Sequence, residues 1–135
     1  MRNSKIVPLA VSLTVLSILA VLTVTLSGCG DSAPVTAYKD FEKALKDGDL
    51  ETAWSLLSSD RQEAMAHDQF LEAFSLPSMK EVIEKMPPAD IVSCEVDGDH
   101  AVITAEGTGI YEGNTSKTPL VLENGEWKLE SAAGP

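Results

Sequence analysis

Basic residues and cysteines are scarce in this chain. Ten Lys+Arg stand against 21 Asp+Glu over 135 residues, a formal net charge of −11. Phosphate backbones are bound through clustered Lys and Arg, so this balance argues against a nucleic-acid partner. Two cysteines exclude a disulfide-rich scaffold and a four-cysteine zinc site. His67 and His100 are the only histidines, and no H-E-x-x-H, C-x-x-C or G-x-S-x-G occurs. Gly107-Thr108-Gly109 lacks the glycine spacing, the lysine and the following helix of a phosphate loop. No metal, no cofactor and no catalytic constellation is therefore expected.

Charge is also absent from one long run, the 21 residues from Ile6 to Leu26. Arg2 and Lys5 precede it, and the small residues Ser27 and Gly28 follow it. A cationic start, an apolar middle and small residues at the cut form the layout of a secretory signal. Leu26-Ser27-Gly28-Cys29 resembles the lipobox of bacterial lipoproteins. The resemblance implies cleavage between Gly28 and Cys29. It also implies a thioether-linked diacylglycerol, with acyl chains such as palmitate, on the Cys29 thiol. The alternative is an uncleaved anchor, since the run reaches the ~20 residues that span a bilayer. Both place the rest of the chain outside the cytoplasm, at the cell membrane or the outer membrane. Loss of residues 1–28 leaves 107 residues and removes Arg2 and Lys5, so the mature charge is 8 − 21 = −13. Such a domain is repelled by anionic headgroups and stands off the membrane that holds it.

The expected organisation is a signal at 1–28, a lipidated tether at 29–34, one domain at 35–131 and a tail at 132–135. Val35, Tyr38, Phe41, Ala44 and Leu45 recur at helical spacing, and Lys39, Asp40, Glu42, Lys43 and Lys46 take the other face. Gly48 suits the left-handed position after that helix, and Asp49 suits the N-cap of the next. Leu50, Ala53, Trp54 and Leu57 form a second stripe. Asp60 with Glu63, and Ser78 with Glu81, read as capping boxes. Phe70, Leu71 and Phe74 mark a short helix between them, and Pro87-Pro88 ends the helical half.

From Ile91 the period falls to two. Val92, Cys94 and Val96 alternate on one strand, and Ala101, Ile103 and Ala105 alternate on the next, which is expected to run to Tyr111. Asp97-Gly98-Asp99 is the turn between them. Asn124-Gly125 is a strong type I′ signal; it pairs Leu122 with Trp127 and Leu120 with Leu129. Segregated helices and strands mean α+β: N-terminal helices packed on a curved antiparallel sheet of about four strands. No second copy of the helical segment recurs at a period of ~34 residues, and the strand half also argues against a helical repeat array.

Two ordered sets of residues carry a resemblance. One is Ala44-Leu45-Lys46-Asp47-Gly48-Asp49 with Ala53-Trp54-Ser55-Leu56-Leu57-Ser58. The other is Val96-Asp97-Gly98-Asp99 with Ala101-Val102 and Gly125-Glu126-Trp127-Lys128-Leu129. Together they resemble small bacterial lipoproteins with a nuclear transport factor 2-like domain of unknown function. The resemblance implies a cystatin-like cone with room for a cavity between helices and sheet. That superfamily contains isomerases, cyclases and dehydratases beside many non-catalytic binding modules, so fold does not settle function.

The residues themselves favour the binding modules. Catalytic members place an acid and a tyrosine in the cavity. Here Asp40 is near Tyr38 but out of phase with the apolar stripe. Cys94, on an apolar strand face, reads as a structural thiol. Of the aromatic residues, Tyr38, Phe74 and Tyr111 sit nearest element ends and are the candidate cavity. The expected function is a membrane-anchored domain that binds a small apolar ligand without catalysis. The alternatives are a scaffold docking another cell-envelope protein, and a small lyase or isomerase.

Overall fold

The computed structural model describes residues 32–131, so the signal, Cys29 and the 132–135 tail lie outside the described residues. Among the described residues, five helices precede a four-stranded sheet. The helices are α1 Ala33–Asp47, α2 Leu50–Ser55, α3 Ser59–Ala64, α4 His67–Ser75 and α5 Pro77–Lys85. The strands are β1 Asp90–Asp97, β2 His100–Glu106, β3 Thr115–Glu123 and β4 Glu126–Leu129. The sheet is an antiparallel meander in the order β1-β2-β3-β4.

α1 is the spine. Its stripe Val35, Tyr38, Phe41 and Ala44 is buried against Ile103, Leu120 and Leu129 of the sheet. Gly48 ends it at φ 72, donating to Ala44 and Leu45 carbonyls, as a left-handed C-cap does. Asp49 caps α2 by accepting from the Thr52 N–H at 3.2 Å. The turn at 124–125 has φ 51 and φ 83, and the register is Leu122↔Trp127 and Leu120↔Leu129, as the turn chemistry requires.

Two helix starts differ from the local expectation, the first through contacts distant in sequence and the second through a proline. The N-cap of α3 is Ser58, whose Oγ accepts from Arg61 N–H, and not Asp60. The chain leaving α2 forms a parallel bridge to β4: the Leu129 N–H donates to Leu56 O and the Ser58 N–H to Leu129 O, both at 2.8 Å. Glu123 on β3 then accepts from the Ser59 N–H and hydroxyl. That clamp fixes where α3 begins and closes the outer edge of β4. α5 starts at Pro77, one residue ahead of Ser78, because proline needs no N–H partner in the first turn.

In β1 the pairing shifts between Ile91 and Ser93. Val92 is the extra residue of a bulge and is 46% exposed, while Ile91 joins Cys94 on the core face. β2 ends at Glu106, so Ile110 and Tyr111 are not strand residues; Gly109–Tyr111 is a 3-10 turn and Ile110 is exposed.

Candidate functional site

The helical layer leaves grooves on both flanks of α1. The first lies between the C-terminus of α1, the end of α4 and α5, with a volume of about 240 Å3. Its floor is apolar, from Leu45, Leu50, Phe74 and Ile83. Its rim is charged, from Lys46, Asp47, Lys80 and Glu84. Phe74 is held there by a tilted ring contact with Phe70, 4.5 Å between centroids, and Phe70 meets Trp54 in turn, also tilted, at 5.2 Å. The second groove, of about 630 Å3 and more open, runs between the polar face of α1 and the strap Pro88–Ile91. A third lies between α1 and α2 beside Ala44 and Leu56.

Glu42 borders the second groove, one helical turn beyond Tyr38. The Tyr38 hydroxyl and the Glu42 carboxylate are close enough for each to shift the other. Burial pushes the Tyr38 hydroxyl well above the ordinary tyrosine range, and the adjacent carboxylate adds to the shift. Burial also lifts the Glu42 carboxyl above its ordinary value, against the opposing pull of the Tyr38 hydroxyl and Lys46. The raised Glu42 value sets a pH dependence. The folded state holds the proton more tightly than the unfolded chain, so this group's stabilisation is complete below the unfolded value. It is lost as pH rises through the folded one. Glu42→Gln is expected to abolish that part of the slope of melting temperature against pH in mildly acid solution. An unchanged slope would show that Glu42 is not desolvated.

The three candidate aromatics are dispersed. Tyr38 is buried in the core, Phe74 lines the first groove, and Tyr111 sits in the 3-10 turn after β2. Tyr38 and Tyr111 line none of the three grooves. Asp40 faces solvent as its phase requires, and the acid that meets Tyr38 is Glu42. Its signal in the sequence is the i, i+4 spacing from Tyr38, masked by a position outside the apolar stripe. Both histidines pair with acids at the surface. His67 Nε2 is 3.0 Å from Glu51 and its ring lies on Trp54, and His100 Nε2 is 3.5 Å from Asp99. Neither borders these grooves. Cys94 is half-buried and accepts from the Ser32 hydroxyl at 3.8 Å. Among the described residues no cluster of His, Cys, Asp or Glu could hold a metal ion, and no helix is long and apolar enough to cross a membrane.

No family model matches the chain, and no curated protein matches it. Solved structures do. A candidate NTF2-like transpeptidase from Campylobacter jejuni is 18% identical and superposes with a TM-score of 0.51. The match covers 73% of this chain and 97% of that one. The fold is NTF2-like. An NTF2-like protein of unknown function from Shewanella oneidensis MR-1 is 15% identical over 71% of this chain and 90% of its own, at a TM-score of 0.49. A candidate ketosteroid isomerase from Shewanella frigidimarina NCIMB 400 is 19% identical over 74% and 92%, at 0.47. At 18% identity the likeness to the Campylobacter structure shows the fold alone.

Proposed function

We propose that this chain is a lipid-anchored protein of the cell envelope whose NTF2-like domain holds a small apolar ligand, without catalysis, in the groove between α1, α4 and α5. The observation that carries the binding role is the apolar floor of Leu45, Leu50, Phe74 and Ile83 under a charged rim. Apolar walls with a few polar groups to orient the ligand are what small-molecule sites have in common. At about 240 Å3 the groove takes one compact apolar group. The test is native mass spectrometry of the mature protein released by detergent. A stoichiometric adduct is expected in the wild type and its loss in Phe74→Trp, which fills the floor, with the thermal melt showing that the variant still folds. A bare wild-type mass, or an adduct that survives Phe74→Trp, would refute the assignment.

Support for the anchor comes from the sequence: an uncharged run ending in Leu26-Ser27-Gly28-Cys29. Two acyl chains hold a protein stably at a membrane, where one chain is marginal. Cys29→Ala is expected to leave a larger, uncleaved precursor, while the wild type partitions into detergent. A wild type recovered as a free mature form would overturn the anchor.

A specific observation favours a second reading, a small lyase or isomerase. Glu42, with its raised carboxyl value, borders the open groove, and Tyr38 lies behind it in the core. A carboxyl raised above its ordinary value by burial is better suited to holding and passing on a proton. Turnover lost in Glu42→Gln and retained in Asp40→Asn would establish it.

A further inference from the structure

We propose that the α1/α4/α5 groove recognises a zwitterion with an apolar side chain: a free hydrophobic α-amino acid. This rests on the ligand-binding reading of that groove. The rim carries two cations and two anions, but they are not equally available. Asp47 is engaged by Lys43, one turn back on α1. Lys46 lies in the field of Glu42 and also borders the neighbouring groove. Lys80 and Glu84 remain, and among the described residues neither is held in an ion pair.

Lys80 and Glu84 stand at i and i+4 with lysine first and stay apart, although Lys43 and Asp47 pair in that same order on α1. On α5 itself Glu81 and Lys85 have the favoured order and do pair. Lys80 and Glu84 therefore offer opposite charges about one helical turn apart, ~6 Å along the axis, above a single apolar floor. α4 ends at Ser75 on the same rim, and a helix C-terminus favours a cation.

A ligand that uses all of this presents a carboxylate to Lys80, an ammonium to Glu84 and an apolar side chain to Phe74 and Ile83. A long acyl chain exceeds the volume of about 240 Å3. A simple acid leaves Glu84 facing an apolar body, and a simple amine leaves Lys80 unmatched. Both rim groups are solvent-exposed, so each head group should contribute modestly, about threefold in affinity. The preference should also fade at high salt.

The experiment compares leucine, 4-methylpentanoate and 3-methylbutylamine, which share a branched side chain, by NMR titration of the full mature protein in detergent. Leucine is expected to bind several-fold more tightly than either analogue. Lys80→Gln should remove its advantage over the amine, and Glu84→Gln its advantage over the acid; both positions are exposed helix surface. Equal binding of all three compounds would overturn the zwitterion and leave the apolar groove standing. Persistence of the preference in both variants would place the ligand elsewhere. No binding by any of the three, with Phe74→Trp also without effect on the mass-spectrometric adduct, would remove the groove reading itself.

Discussion

Phe70→Ala is expected to lower the melting temperature by roughly 20 °C. Phe70 is 0% exposed and sits between Trp54, 5.2 Å away, and Phe74, 4.5 Å away. Its ring joins α2 to α4 and backs the floor of the groove. Truncating a buried phenylalanine costs about 3–5 kcal/mol, a transfer contribution plus a cavity that the surroundings fill only in part. For a domain of about 100 residues, ~1 kcal/mol shifts the melting temperature by ~4–8 °C. The loss is large against the ~5–15 kcal/mol that holds a typical domain together. Val82→Ala is the comparison. Val82 lies on α5 and is 47% exposed, so its truncation should change stability by less than about 0.5 kcal/mol. Calorimetry on the two variants tests the pair. Similar melts would mean that the α2/α4 layer is not the packed part of the domain.

Gly107→Ala is expected to be the most damaging single-methyl addition after β2. A Cβ built at Gly107 falls 2.3 Å from the Tyr111 carbonyl oxygen and 2.7 Å from its Cβ. Both belong to the 3-10 turn, which is tied on either side. The Gly107 N–H donates to Asn114 O at 2.8 Å, and the Thr108 hydroxyl reaches Pro88 O at 2.8 Å. The turn cannot shift without losing those bonds, so a cost of about 2–3 kcal/mol is expected, in the overpacking range. Gly113→Ala separates crowding from backbone strain. Gly113 has φ 88 with open space around it, so alanine there should cost only the left-handed penalty, ~1–2 kcal/mol. Hydrogen exchange at the Gly107 and Asn114 amides should accelerate in Gly107→Ala. If Gly107→Ala melts no lower than Gly113→Ala, the close approach is relieved without loss of the turn.

Three of the positions where sequence and structure part share one cause, a partner distant in the chain. Ser58 becomes the cap of α3 because β4, more than 60 residues later, docks on Leu56 and Ser58. Val92 is expelled by a bulge whose register is set by its partner β2, and this brings Ile91 and Cys94 to the same face. Glu42 reads as a solvated residue from its place off the apolar stripe, yet Tyr38 and the strap at Pro88–Ile91 give it a desolvated setting. None of these leaves a mark in the local period.

The features legible in the chain are those that a few neighbouring residues decide. Gly48 must take a left-handed φ, and Asp49 can reach the Thr52 N–H. Asn124-Gly125 sets a two-residue turn, and with it the pairing of Leu120 with Leu129. The α+β order followed from the change of period near Ile91. Which aromatic lines a groove, which acid meets Tyr38 and which rim charges remain unpaired above Phe74 emerge only from packing. Those outcomes depend on how α1, α4 and α5 cross one another. Distant pairings settle that crossing, and they are encoded in no single stretch of chain.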